Sequence, residues 1–282
     1  MTGPFGRELG VGVGWRREIA AWVDRNTKFH LVEVMAEDFA APQKVPPAID
    51  QLIDRGARVV PHSVSLSLAG AERPDLGRLR NLGALARRVG APLVSDHIAF
   101  VRCGRLDSGH LLPPPRTQAA LDVLVENVRI ANRHLPVPLA LENIACLFQW
   151  PGAEMDEATF IRELLVRTDT LLLLDVANLY ANAVNFGWDY KAFLDEMPLD
   201  RLAYVHVAGG QEANGFYRDT HAHAVSRGPL EVLEDLATRC RVPGIILERD
   251  DRFPPTAELE AETDVIRESA LRGTSIREGG HA

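Results

Sequence analysis

Eight short runs rich in Val, Ile and Leu recur along the chain: LGVGVG (9–14), FHLVEVM (29–35), RVVPHSV (58–64), PLVSDHIAF (92–100), PLALENI (138–144), TLLLLDVANLY (170–180), LAYVHVAG (202–209) and GIILERD (244–250). Between them lie longer stretches such as DLGRLRNLGALARRVG, TQAALDVLVENVRIANRHL, EATFIRELLVRT and GPLEVLEDLATRC, whose apolar residues fall at i, i+3, i+4 and i+7. The continuously apolar runs predict strands buried on both faces, and the 3.6-residue period predicts amphipathic helices laid over them. Eight strand–helix units in 282 residues match an α/β fold of the (β/α)8 TIM-barrel type in both count and length, with an open doubly wound sheet as the alternative. No long Pro/Gly/Ser linker breaks the alternation, and the Pro cluster LLPPPR (111–116) falls in the loop after the fourth strand. The sequence therefore predicts one catalytic domain over residues 1–272, with GTSIREGGHA (273–282) as a flexible C-terminal tail.

Polar residues enter this pattern at one end of the strands. His62 closes the third run, Asp96 and His97 the fourth, Glu142 and Asn143 the fifth, Asp175 with Asn178 the sixth, His206 the seventh and Glu248 the eighth. Asp219 and His221, in the stretch DTHAHAV, follow the seventh. In a barrel the C-terminal strand ends converge on a single mouth, so residues distant in sequence become neighbours there. Carboxylates and imidazoles gathered in that way require a cation, because packed carboxylates otherwise repel one another and take up protons.

The donors are His, Asp, Glu and Asn without a thiolate, a set that suits zinc, iron or manganese and disfavours copper(I) or an iron–sulfur cluster. Nine candidate ligands (His62, His97, Glu142, Asp175, Asn178, His206, Asp219, His221 and Glu248) exceed the needs of one ion. Two or three ions, neighbours bridged by a carboxylate and about 3.5 to 4 Å apart, would use them. No catalytic residue is separable from these ligands. Asp96, His110, Asn143 and His223 are expected beside the ligands or facing substrate, as are the loop 101–116 and the segment after Gly209.

Other polar residues carry plainer expectations. His30 and His134 read as structural, His281 belongs to the tail, and Cys146 reads as inert core packing. Glu33 and Glu37 follow the second strand, where a contact to substrate or ligand and a solvated loop are both open.

Composition narrows the partners. The hydrophobic share of 46% and charged share of 25% are those of an ordinary globular chain. A net charge of -8 with arginines spread along the chain leaves no basic stripe for a phosphate backbone, which disfavours nucleic acid. Cys103, Cys146 and Cys240 show no CxxC spacing, arguing against a disulfide framework and for a reducing cytoplasm. The N-terminus lacks a secretory pattern and no apolar run is long enough to span a bilayer, so a cytoplasmic, membrane-free protein is expected.

The series GVGWR, VMAEDF, PHSVSLS, VSDHIAF, LLPPPRT, LENIA, LLDVANLY, VHVAGG, DTHAHAV and ILERDD resembles the DUF692 family, the multinuclear non-heme iron-dependent oxidative enzymes (MNIO), from about Gly10 to about Glu260. The resemblance implies a xylose-isomerase-like TIM barrel with two or three irons in mixed Fe(II)/Fe(III) states and O2 as co-substrate. It also implies action on cysteines of a ribosomally synthesised precursor peptide (RiPP biosynthesis), which a small partner protein recruits. By resemblance, His62, His97 and Glu142 hold one iron, and Glu142, Asp175, His206 and Glu248 a second. Asn178, Asp219 and His221 form a third, more labile position.

The zinc endonucleases of abasic-site repair, similar in layout, carry an imidazole where this chain has Asn178, and an amide is the weaker ligand. Ala177 stands where many relatives have Asn. The competing reading is a zinc- or manganese-dependent hydrolase or sugar isomerase on the same barrel. The lack of a basic surface and of a lysine among the mouth residues weighs against it.

Overall fold

In a computed structural model, which describes residues 5–39 and 44–280, each of the eight apolar runs supplies one strand of a closed parallel barrel. The first half of the chain runs β1 (Val11–Trp15), α1 (Ala20–Arg25), β2 (Leu31–Met35), α2 (Pro47–Asp54), β3 (Arg58–His62), α3 (Leu76–Val89), β4 (Val94–His97), β5 (Phe100–Cys103), β6 (Leu106–Leu112) and α4 (Gln118–His134). The second half runs β7 (Leu139–Glu142), α5 (Glu157–Thr168), β8 (Leu171–Asp175), α6 (Val176–Phe186), α7 (Tyr190–Glu196), β9 (Leu202–Ala208), β10 (Gly210–Ala213), β11 (Phe216–Asp219), α8 (Arg227–Arg239), β12 (Ile245–Glu248) and α9 (Thr256–Gly279). The strand order around the barrel is β1-β12-β9-β8-β7-β4-β3-β2, and the ring closes where Val13 pairs with Leu247 on one side and Val32 on the other. Gly12 makes this closure possible, since a Cβ there would run into the Leu31 carbonyl.

Side-chain parity organises the interior. Leu31, Val60, Leu93, Ala140, Leu173, Tyr204 and Ile246 form one buried cluster, joined by Phe5 and Leu9. Their neighbours Val32, Val59, Val94, Leu141, Leu172, Val205 and Leu247 belong to the larger cluster beneath the helices. Because side chains on a strand alternate, the residue two positions beyond each inner apolar residue faces inward again. Those residues are Glu33, His62, Ser95, Glu142, Asp175, His206 and Glu248, all buried. The barrel is thus apolar in its lower layer and polar in the next one up.

Helix starts are set by short polar caps. Asp75 accepts from the amides of Gly77 and Arg78 ahead of α3, Thr117 from Ala120 ahead of α4, and Asp156 from Thr159 ahead of α5, each cap contributing about 1 kcal/mol. The run TLLLLDVANLY does not stay extended as the apolar pattern predicts. Asp175 ends the strand and caps α6 through the amides of Ala177 and Asn178, so Asn178 sits on a helix.

Two further expectations are corrected. The segments 101–116 and beyond Gly209 contain antiparallel hairpins, β5–β6 and β10–β11, rather than plain loops. The frayed tail expected after Arg272 is helical through Gly279, with Gly273 packed where a side chain would meet the Glu234 carbonyl of α8. His281 lies outside the described residues. No helix among the described residues is long and apolar enough to cross a membrane.

Candidate metal centre

The polar layer of the barrel brings together three overlapping groups whose donor atoms lie within 4.8 Å of one another: His62, His97 and Glu142; Glu142, Asp175, His206 and Glu248; and Asp175, Asp219 and His221. Glu142 joins the first two groups, and its oxygens divide the work. Oε2 faces His97 Nε2 at 3.3 Å and His62 Nε2 at 3.6 Å, while Oε1 faces His206 Nδ1 at 3.1 Å. His206 Nδ1 also lies 3.1 Å from Glu248 Oε2. Asp175 belongs to both the second group and the third.

Charge in this layer is unbalanced. Burial works against ionisation of Glu142, yet His206, His97 and His62 together hold it below the ordinary carboxylate range. Burial pushes Asp175 well above that range, reinforced by Asp219, Glu142 and Glu248. Burial alone would lower His206, but Glu248, Glu33 and Glu142 raise it well above an ordinary imidazole, whereas His62 is pushed down by burial. Protons are spread over the cluster to offset carboxylates that repel one another.

Buried oxygens without any hydrogen-bond partner include Glu142 Oε2, Asp175 Oδ2 and Asp219 Oδ1, at least one in each of the three groups. An unpartnered buried carboxylate oxygen is costly, and a cation removes that cost. Nitrogen and oxygen donors without thiolate fit first-row divalent ions, so the residues present suit several metal ions.

His221 adopts a left-handed backbone (φ 52) although it is not glycine, a conformation that costs roughly 1 kcal/mol or more. Its carbonyl accepts from the Asp250 amide at 2.9 Å, and its Nδ1 lies 3.0 Å from Asp250 Oδ2. Arg16 Nε donates to Asp250 Oδ1 at 2.8 Å. This row of contacts turns His221 Nε2 toward Asp219 Oδ2, 2.5 Å away.

The remaining expected residues divide. Asn178 lines the cavity above the cluster, but its Nδ2 donates to the Asn143 carbonyl at 3.0 Å, and the carboxylate shared with Asp219 and His221 is Asp175. Asn143 locks the end of β8 by a paired exchange with the Asp175 backbone (3.0 and 2.9 Å). Asp96 has the opposite parity and accepts from the Leu66 and His97 amides, its carboxyl lifted to about 7 by burial. It braces a loop and belongs to none of the donor groups.

His110 lines the cavity from the exposed strand β6, whereas His223 turns to Thr220 Oγ1 at 2.7 Å. His30 is exposed ahead of β2, and His134 ends α4 with Nδ1 on the Ile130 carbonyl at 2.9 Å. Cys146 is buried and its thiol is pushed up by burial, beside Glu157.

Glu33 is the main correction. It lies inside β2, not in a loop after it, and is fully buried with Oε2 2.8 Å from His206 Nε2. Its signal in the sequence is a single acid at the inward parity of an otherwise apolar strand. Glu37 does follow β2 and accepts from Ser63 Oγ at 2.8 Å. A cavity of 910 Å³ opens above the three groups, walled by Met35, Ile144 and Cys146 and flanked by Leu111 and Phe216 of the two hairpins.

A closed parallel barrel covered by helices, with its polar mouth at the C-terminal strand ends, defines the chain as a TIM barrel. Over residues 10–270 the chain matches the family described as RiPP precursor modification enzyme MbnB/TglH/ChrH, and it belongs to that family. It is 53% identical over 268 residues to a UPF0276 protein of Streptomyces avermitilis, an alignment covering 93% of this chain and 55% of the relative, so the chain spans about half of that protein's length. A UPF0276 protein of Acinetobacter baylyi is 32% identical over 272 residues, covering 94% and 93% of the two chains. Among solved structures, endonuclease IV from Thermus thermophilus superposes with a TM-score of 0.61 at 19% identity, covering 92% of this chain and 99% of that one. D-psicose 3-epimerase from Clostridium cellulolyticum gives 0.58 at 11% identity, covering 95% and 98%. At such identities the likeness establishes the fold alone.

Proposed function

We propose that the chain is a multinuclear non-heme iron enzyme that uses dioxygen to modify cysteine residues of a ribosomally synthesised precursor peptide. The observation that carries the reading is the sharing of carboxylates among three donor groups at the mouth of a barrel from a family of RiPP precursor modification enzymes. His62, His97 and Glu142 would hold one ion, and Glu142, Asp175, His206 and Glu248 a second. Asp219 and His221 would hold the third, with Asp175 shared and Asn178 adjacent. When bound, two or three irons in mixed Fe(II)/Fe(III) states supply one-electron chemistry toward dioxygen and the charge that keeps a cysteine sulfur as thiolate.

The protein's own residues do the rest. The buried lower layer keeps water from the ligand side chains, and the 910 Å³ cavity admits a short peptide segment between the hairpins. Cys146, buried and held as a thiol, is part of the wall rather than a reacting group. A small partner protein that recruits the precursor and a cytoplasmic setting belong to the same reading.

Metal analysis with Mössbauer and EPR spectroscopy on anaerobically purified protein tests it, together with oxygen uptake in the presence of cysteine-containing peptides. Two or three redox-active irons per chain and peptide-dependent oxygen uptake are expected. Stoichiometric zinc with no oxygen consumption would overturn the proposal.

A further inference from the structure

Five side chains on four strands form a buried row of hydrogen bonds behind the donor groups. His62 Nδ1 lies 2.9 Å from Ser95 Oγ, Ser95 Oγ lies 2.7 Å from Tyr204 OH, and Tyr204 OH donates to Glu33 Oε2 at 2.6 Å. His206 Nε2 reaches the same Glu33 oxygen at 2.8 Å. Glu33, Ser95, Tyr204 and His206 are fully buried, so solvent offers none of them another partner.

A carboxylate only accepts, and this fixes the direction of every bond in the row. Tyr204 donates to Glu33, which leaves the Tyr204 oxygen to accept from Ser95 and the Ser95 oxygen to accept from His62 Nδ1–H. His206 donates Nε2–H directly. His62 Nε2 is left with its lone pair 3.6 Å from Glu142, and His206 Nδ1, 3.1 Å from Glu142 and from Glu248, is the nitrogen that gives up its proton when a metal ion binds.

We infer that Glu33 is a positioning residue, the shared acceptor that decides which ring nitrogen His62 and His206 present to the metal positions on either side of Glu142. The inference rests on the metal-centre reading above and adds to it a residue that stands in none of the donor groups. One carboxylate thereby sets the tautomer of a histidine in each of two groups, through two branches of unequal length. An acceptor behind a metal-binding imidazole orients the ring and raises its basicity, and losing it commonly weakens metal affinity 10- to 100-fold.

The test uses [15N]histidine-labelled protein and zinc, a diamagnetic probe, with long-range 1H–15N correlation spectra reading the tautomers. In the wild type, His62 is expected as Nδ1–H in the metal-free protein and His206 as Nε2–H in the zinc-loaded protein. Glu33→Leu removes the acceptor at similar volume; both rings should lose their single tautomer and the apparent zinc Kd should rise about 10- to 100-fold. Tyr204→Phe cuts only the longer branch, so His62 should change while His206 keeps Nε2–H.

Should Glu33→Leu fail to fold, Tyr204→Phe poses the same question to one branch. Unchanged tautomers and zinc affinity in Glu33→Leu, or an unaltered His62 in Tyr204→Phe, would overturn the inference. Wild-type protein that shows the expected His62 tautomer and takes up no metal would sink the metal-centre reading while supporting the role of Glu33 as acceptor.

Discussion

Glu157, the first residue of α5, offers a quantitative test of the cavity wall. Its side chain is 11% exposed and lies against Arg116 Nη1 at 3.5 Å, Asn182 Nδ2 at 3.4 Å and Cys146 Sγ at 3.9 Å. Burial lifts its carboxyl from 4.5 to about 7, with Arg116 and Asn182 offsetting only part of the effect. A carboxyl whose folded-state value lies above its unfolded value holds its proton more tightly when folded. The destabilisation is therefore absent at low pH, where both states are protonated, grows as pH rises from 4.5 through 7, and is constant above that. At 1.36 kcal/mol per pH unit it reaches about 3 kcal/mol.

Glu157→Gln keeps the shape and removes the titration. Urea unfolding followed by circular dichroism on chelated wild type and variant, at about pH 4.5 and about pH 8, isolates this group, because contributions from other carboxyls cancel in the difference. The variant should gain about 3 kcal/mol relative to wild type between the two conditions. A difference that stays flat with pH would show that Glu157 ionises in the folded protein as it does in the unfolded chain. The pocket formed by Arg116, Asn182 and Cys146 would then not shield it.

The centre itself supports further tests. Glu142→Gln removes the carboxylate shared by the first two groups, so metal content by mass spectrometry should fall at two positions together; full retention would refute the bridging role. Asn178→Ala should cost no more than the third ion. Asp250→Asn releases the brace on His221 Nδ1 and should weaken the third position by about tenfold or more while leaving the other two intact, as read by metal titration. Chelation should lower the unfolding free energy by about 2.7 kcal/mol for each ion present at about 100 times its Kd, and a melting temperature indifferent to chelator would contradict the fit of metal to the cluster.

The barrel was legible because its strands are buried on both faces, so each reads as an unbroken apolar run, and because His62, His97, Glu142, Asp175, His206 and Glu248 interrupt those runs near one edge. The hairpins were not legible. β6 is largely exposed along LDSGHLL and carries no apolar alternation to announce it. The strand-to-helix switch at Asp175 was hidden because VANLY is apolar enough to continue a strand, and only the capping bonds of Asp175 reveal the break. Glu33 is ambiguous in the sequence, between a ligand contact and a solvated loop, and Tyr204 inconspicuous, for a related reason. Each sits mid-strand, where an isolated polar residue looks like an irregularity until parity shows that it points at the same interior as His206.

The division of labour within Asp175 carries one more consequence. Its Oδ1 is committed to the amides of Ala177 and Asn178, and its Oδ2 has no partner. It can therefore lend only one oxygen to an ion without uncapping α6. An ion on Oδ2 leaves the cap in place and holds the carboxylate still, so loading of the centre opposes fraying of the first turn of that helix. The exchange rate of two backbone amide protons would then count ions arriving at the far side of a carboxylate, a gauge of occupancy that needs no chromophore and no turnover.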